Sequence, residues 1–354
     1  MTEPVRVAVV GLGIGRMHVL AYKQLRSRFQ VVAVCDVDGA RATEVAGWLR
    51  GVRAVTDPAE IFAADDIDVI DLCTPPDQHR GQVEAGLRAE KDVICEKPLV
   101  ASLREVDELA AIEQETGRRV MPILQYRFGH GIQKLRRLVE LGITGRPYVA
   151  NVELAWWRDD AYYAVPWRGR WATELGGVLL SHALHALDMT TFILGPPSAV
   201  WARTATLVND IEVEDSAAAV LRFADGGLAT LSATLGSVAE ISRHRFTFER
   251  LSAESNTAAY ANGADPWVIT PIDAETVLAV DDAVSQIPAR GEDYVGQLER
   301  YADARANGTD PPVTLADARA VLELVTALYL SSREDREVPL PLTAADPAYR
   351  GWAP

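Results

Sequence analysis

Val5–Val10 holds five apolar side chains in six positions and runs directly into Gly11-Leu12-Gly13-Ile14-Gly15. Residues 17–27 then keep the spacing of a helix, and residues 31–35 are continuously apolar up to Asp36. Strand, glycine turn, helix and second strand make a βαβ unit, whose parallel strands are buried on both faces and so show no alternation. The glycines permit a tight turn and let backbone N–H groups approach an anion, at which the following helix points its positive end. The spacing is Gly-x-Gly-x-Gly, one residue shorter than the Gly-x-Gly-x-x-Gly of most dinucleotide turns. Asp36 stands about twenty residues beyond the loop, where an acidic residue takes the ribose diol. Gly11, Gly13, Ile14, Gly15 and Asp36 are therefore the candidate cofactor residues of this unit. A carboxylate at that place repels a 2′-phosphate and predicts NAD, with NADP disfavoured; Arg41, a turn into the next helix, softens the preference. The structural alternative makes Asp36 only a helix N-cap.

The alternation continues with helix 39–49, strand 69–73, helix 79–89, strand 93–95, helix 102–116 and strand 120–124. This predicts an α/β fold, a doubly wound parallel sheet of Rossmann type over residues 1–124. Cys35, Cys73 and Cys95 each end a strand, at the edge that faces the ligand crevice in such sheets. They read as small apolar fillers rather than reactive thiols. After residue 125 the pattern changes. Helix 133–141 and strand 148–156 precede the Gly176-Gly177 turn and a long helix to Leu194. Strands at 198–206, 215–223 and 227–235 follow, with Asp225-Gly226 as a hairpin turn. Further strands are expected within 252–282, and helices at 293–306 and 315–332, the second opened by Thr314. Residues 125–354 thus read as an α+β domain with an open, largely antiparallel or mixed sheet, its closing helix 314–332 able to pack back on the first domain.

The 354 residues exceed one ordinary core, and a hydrophobic content of 48% can fill two. A net charge of -15 disfavours nucleic acid and anionic membrane surfaces, and no apolar run is long enough to span a bilayer. Met1-Thr2-Glu3-Pro4 lacks the basic and apolar regions of a signal peptide, and three cysteines without a Cys-x-x-Cys pair argue against a disulfide framework. A cytoplasmic protein with a small-molecule partner is expected.

Three further segments are specific. Cys73-Thr74-Pro75-Pro76-Asp77-Gln78-His79 follows the third recognisable strand, Glu96-Lys97-Pro98 follows the fourth, and Gly176-Gly177 leads through Ser181-His182-Ala183-Leu184-His185 to Asp188. With Tyr162-Tyr163, Trp167-Arg168-Gly169 and the tail Val338-Pro339-Leu340-Pro341, these make the chain resemble the glucose–fructose oxidoreductase, inositol dehydrogenase and MocA family. The resemblance spans nearly the whole chain and is weakest between residues 240 and 289. It implies a Rossmann domain followed by a domain whose open sheet joins subunits, here into a homodimer or homotetramer. It also implies hydride transfer between a nicotinamide and a secondary carbinol of a sugar, polyol or derivative. By resemblance Thr74, Pro75, His79, Glu96, Lys97 and Gln125 lie toward the cofactor, Arg168 lies toward cofactor or substrate, and His18 is a supporting group on the cofactor side.

Removing hydride from a carbinol requires removing the hydroxyl proton as well. Lys97 stands at the carboxyl edge of the sheet, where desolvation and a nicotinamide cation would lower its pKa; Glu96 could orient it and Pro98 fixes the turn, often through a cis bond in the family. His185 matches the family's catalytic histidine, and a neutral imidazole can accept a proton near neutral pH. Lys97 and His185 are thus the candidate catalytic residues. Ser181 occupies a position where many family members carry aspartate; it can hydrogen-bond a substrate hydroxyl but cannot act as a carboxylate base. His182 is expected to line the substrate pocket with Lys97, Arg127, Tyr163, Trp167, Ser181 and His185, since aromatic faces and fixed donors suit sugars. Tyr126 and Trp156 are further candidates. His182, His185 and Asp188 share helical spacing but lack a fourth ligand, and no metal is expected. An NAD-assisted glycosidase and a non-catalytic NAD-binding sugar sensor are the competing functions.

Overall fold

The computed structural model describes residues 3–353. It divides into two compact units, Met1–Leu124 with Tyr294–Arg319 and Gln125–Asp293 with Ala320–Pro354. The helix that opens the 294–319 segment therefore belongs to the first unit, so the chain crosses between units more than once.

The first unit begins β1 (Val5–Val10), α1 (Gly15–Gln24), β2 (Phe29–Cys35), α2 (Gly39–Ala46), β3 (Arg53–Val55) and α3 (Pro58–Phe62). It continues β4 (Val69–Leu72), α4 (Pro76–Arg88), β5 (Asp92–Cys95), α5 (Leu103–Thr116) and β6 (Val120–Pro122). The strands form one parallel sheet in the order β3-β2-β1-β4-β5-β6. Strand order reverses between β1 and β4, the crevice where doubly wound sheets bind ligands. All residues of β4 and β5 are buried, which is why these strands read as apolar runs. β3 and α3 were not anticipated: an edge strand of three residues, two of them exposed, has no apolar pattern to show. Asp38, not Asp36, caps α2, accepting from the Ala40 and Arg41 N–H groups. Asp36 is thereby left for another task.

The second unit runs α6 (His130–Glu140), β7 (Pro147–Trp157), α7 (Asp160–Tyr163), α8 (Leu184–Leu194), β8 (Pro197–Ala205), β9 (Ser216–Phe223) and β10 (Leu228–Thr234). It continues β11 (Gly236–Phe248), β12 (Leu251–Glu254), β13 (Val268–Pro271) and α9 (Ala274–Ser285). After α10 (Asp293–Asn307) come α11 (Leu315–Glu334) and β14 (Val338–Pro339). Eight strands make a mixed sheet, β13-β12-β11-β7-β10-β9-β8-β14, parallel only between β7 and β10. The strands expected within 252–282 are β12 and β13, but the segment also holds a helix that was not expected. Residues 274–285 are helix, because the Asp273 side chain caps the Thr276 N–H at 2.8 Å and sets the chain coiling. Burial alternates along β9 and β10, so one face of the sheet packs inward and the other is open. Trp201, Val220 and Thr230 stand in register on that open face. Among the described residues, no helix is long and apolar enough to cross a membrane.

Candidate active site

In the first unit the crevice is built by loops that leave the carboxyl ends of β1, β2, β4 and β5. Gly11 adopts φ +88°, and a Cβ there would lie 2.5 Å from the Cys73 carbonyl oxygen, so only glycine lets the two loops approach. A Cβ on Gly13 meets nothing within 4 Å, so this glycine faces open space, as a turn meant to receive a phosphate must. Ile14 is exposed next to it, and Gly15 packs on Val9 and Cys73 as α1 begins. Asp36 is buried and accepts from the Leu12 N–H at 2.8 Å and the Asp38 N–H at 2.9 Å. Its carboxylate thus ties the glycine turn to β2. Arg41 lies 3.2 Å from both Asp36 oxygens and 3.4 Å from Asp38, a cation held by two acids. These features suit a dinucleotide: an open, N–H-lined turn beside an anchored carboxylate.

Thr74 donates to Gln82 at 2.7 Å. Pro75 precedes α4, and His79 is fully buried, with Nδ1 2.8 Å from the Pro98 carbonyl and Nε2 2.9 Å from the Thr74 carbonyl. His79 therefore braces the two loops against each other. Lys97 is half-buried, its peptide bond to Pro98 is cis, and its N–H donates to Glu96 Oε2 at 3.0 Å. Glu96 Oε1 lies 3.1 Å from His18 Nε2 and accepts from Tyr294 at 3.0 Å. His18 Nδ1 is 2.8 Å from Asp71, which also accepts from Tyr22 at 2.8 Å. Sequence reasoning missed Asp71, Tyr22 and Tyr294. The available signal was one acid inside the otherwise apolar, wholly buried strand Val69–Leu72. All three cysteines are buried and free of disulfides. Cys73 does more than fill space, lying 3.5 Å from His18 Nδ1.

In the second unit the chain from Gly177 to His182 makes one wide turn, closed by the Ala183 N–H on the Val178 carbonyl at 2.7 Å, before α8 begins. Such wide turns recur at functional sites. His185, in the first turn of α8, is buried and stacks on Tyr126 with centroids 4.4 Å apart. His182 Nε2 lies 3.3 Å from both Arg158 Nε and the Tyr162 hydroxyl, and its ring meets Trp156 edge-on at 5.4 Å. Arg158 also covers the Trp156, Tyr162 and Tyr260 rings. Tyr163 contacts Tyr162 edge-on at 5.0 Å, and Arg168 lies over Trp167 and donates to the Tyr162 hydroxyl. Ser181 donates to Glu174 at 3.0 Å. That buried acid also takes the Gly169 N–H at 2.5 Å and Arg168 at 3.3 Å. Glu174 was missed; it brings a carboxylate to the place where Ser181 has none. Arg127, expected at the substrate, makes a buried bidentate pair with Asp188 at 2.8 and 2.6 Å, which ties it to α8. Gln125 is buried, and its Oε1 has no hydrogen-bond partner among the described residues, as expected of an atom waiting for a bound group.

Glu214 holds the wide turn from beneath, accepting from Gly177 N–H at 3.1 Å, Leu179 N–H at 3.0 Å and Tyr329 at 2.8 Å. Burial pushes its carboxyl up to about 7, against the pull of those three donors. A carboxyl raised in the folded state contributes stability that is fully present below the unfolded pKa of 4.5 and is lost as pH rises through 7. Denaturation midpoints should therefore fall between about pH 5 and pH 8, by up to ~3 kcal/mol of stability from this group. Glu214→Gln should flatten that slope; an unchanged slope places the titration elsewhere.

Two family models match the chain: an oxidoreductase family with NAD-binding Rossmann fold over residues 5–124, and the GFO/IDH/MocA C-terminal domain over residues 132–251. The myo-inositol 2-dehydrogenase of Thermotoga maritima is 26% identical over 95% of this chain and 98% of its own length. The D-apiose dehydrogenase of Paraburkholderia graminis is 26% identical over 94% and 89%. Among solved structures, the WlbA dehydrogenase of Bordetella pertussis, in complex with NADH and UDP-GlcNAcA, superposes with a TM-score of 0.85 at 25% identity, covering 96% of this chain and 100% of that one.

Proposed function

The chain belongs to the glucose–fructose oxidoreductase, inositol dehydrogenase and MocA family of oxidoreductases, and we propose that it oxidises one secondary carbinol of a sugar, polyol or sugar derivative with NAD. The observation that carries this reading is the Asp36-anchored glycine turn on the same sheet edge as Glu96-Lys97-Pro98. The turn from Gly11 to Gly15 would hold the pyrophosphate and Asp36 the ribose diol, with Thr74, Pro75 and Gln125 also toward the cofactor. A bound nicotinamide supplies the hydride acceptor. Lys97 Nζ and the His185 imidazole are assigned the hydroxyl proton, Lys97 as electrophilic or relay partner and His185 as base. The Asp36 carboxylate favours NAD over NADP, and its pairing with Arg41 leaves that cation less able to receive a 2′-phosphate.

Trp156, Tyr162, Tyr163 and Trp167 with Arg158, Arg168 and His182 support a carbohydrate, since they join apolar faces to fixed donors. The open sheet face bearing Trp201 and Val220 supports a homo-oligomer joined through that face. Buried cysteines without disulfides support a reducing, cytoplasmic setting. The test is a panel of inositols, aldoses, deoxysugars, anhydrosugars and uronic acids with NAD or NADP, read by the near-ultraviolet absorbance of the reduced cofactor. One substrate should give reduced cofactor in proportion to product, with NAD the better acceptor. Turnover requiring only catalytic NAD would make the protein a glycosidase, and NAD binding without turnover of any substrate would make it a sensor.

A further inference from the structure

We propose that Asp71, His18 and Glu96 form a buried charged triad whose task is to position Lys97 and set the electrostatic field in which it works. The proposal rests on the relay reading of Lys97, in which its neutral amine takes up the hydroxyl proton, so that its pKa sets an acid limb of the pH profile. His18 leaves α1 fully buried, and each of its ring nitrogens faces a carboxylate: Nδ1 to Asp71 Oδ2 at 2.8 Å, Nε2 to Glu96 Oε1 at 3.1 Å. A neutral imidazole can donate from only one nitrogen, and the other would then point a lone pair at a carboxylate oxygen. With both acids ionised, only the imidazolium satisfies both neighbours. Burial is the largest single influence and opposes that charge, but Asp71 and the neighbouring Cys73 together overcome it and hold His18 well above the ordinary histidine range.

The other groups around the ring are arranged to suit a cation between two acids. Tyr22 on α1 donates to Asp71 at 2.8 Å, and Tyr294 on α10 donates to Glu96 at 3.0 Å while its ring lies 4.5 Å from that of His18. Tyr301 lies farther along α10, and burial holds its phenol protonated. Cys73 and Cys95, from the β4 and β5 ends, are pushed up by burial and stay thiols. The imidazolium thus places one positive charge between the two acids. Glu96 is held at both oxygens, one by His18 and Tyr294 and the other by the Lys97 N–H. The catalytic turn is thus fixed through a side chain whose own position depends on His18. Without the imidazolium, Lys97 faces an additional uncompensated negative charge, which stabilises its ammonium form.

His18→Gln keeps a donor toward Glu96 without the charge, and His18→Asn keeps a donor toward Asp71 only. The expected results are a kcat lowered roughly tenfold to a hundredfold and an acid limb of kcat/KM moved upward by about one pH unit. NAD binding should persist, and Gln should lose less kcat than Asn. A lowered kcat with an unmoved or downward-moved acid limb overturns the proposal, because a merely structural role changes yield and stability but not that limb. Lys97→Met is run beside them. If it retains full activity, the reading of Lys97 fails and the proposal with it; if it is inactive and the His18 profiles do not move, the proposal alone fails. Should the His18 variants not fold, nitrogen NMR of the histidines in the unaltered protein decides. Both nitrogens of His18 should stay protonated well above the ordinary histidine pKa of about 6.5, and an unprotonated nitrogen there refutes the triad.

Discussion

Lys97→Met should lower kcat by about 10³-fold with the physiological substrate while NAD still binds. Methionine keeps the unbranched stem and its packing but removes the ammonium. The turn itself should survive. It is held by the Lys97 N–H on Glu96 at 3.0 Å, which the substitution leaves in place. Glu96 in turn is held from within the first unit by His18 and Tyr294. The variant therefore separates the proton-handling group from the scaffold that presents it. Single-turnover rates and a fluorescence titration with NADH check the two halves independently. Full activity would falsify the assignment of Lys97 to proton transfer. Loss of NADH binding with intact folding would instead make Lys97 a cofactor anchor.

The parts of the fold that were legible in the sequence are those in which one short segment fixes its own state. β4 and β5 are buried throughout and β1 and β2 over their last three residues, so their apolar runs mark them directly. Asp225-Gly226 marks the β9–β10 hairpin, where Gly226 takes φ +90°. β3 was illegible because an edge strand of three residues buries almost nothing, and the helix at 274–285 because its Asp273 cap was not recognised. The candidate site divides along the same line. Residues carried by local motifs could be named. Asp71 and Glu214 could not, since their partners lie far along the chain: Asp71 from His18, and Glu214 from Gly177 and Tyr329; Glu174 has near partners, Arg168, Gly169 and Ser181, but no motif marks it. The need for a buried acid is created by folding and leaves only the trace of a charge in an apolar context, as in Val69–Leu72.

The largest effect on stability is expected at Gly177. A Cβ there would lie 1.7 Å from the carbonyl oxygen of Glu214 and 2.7 Å from its carbonyl carbon. Both neighbours are backbone, so no side chain can swing aside. The φ of -96° is negative, so the objection does not rest on a left-handed backbone. The approach cannot simply widen, because two bonds depend on it: the Val178 N–H on the Glu214 carbonyl at 2.8 Å and the Gly177 N–H on the Glu214 carboxyl at 3.1 Å. Gly177→Ala must break both or displace β9 and the wide turn that leads to His182 and His185. Destabilisation of about 4 kcal/mol or more is expected, the range reserved for buried steric and polar disruption. That corresponds to a melting midpoint lower by roughly 10 °C. Gly81→Ala is the control. A Cβ at that exposed helical position meets nothing within 4 Å, so alanine should be neutral or slightly stabilising. If Gly177→Ala melts with the parent, the close approach of the turn to Glu214 is wrong. The account of how this unit holds His182 and His185 then fails with it.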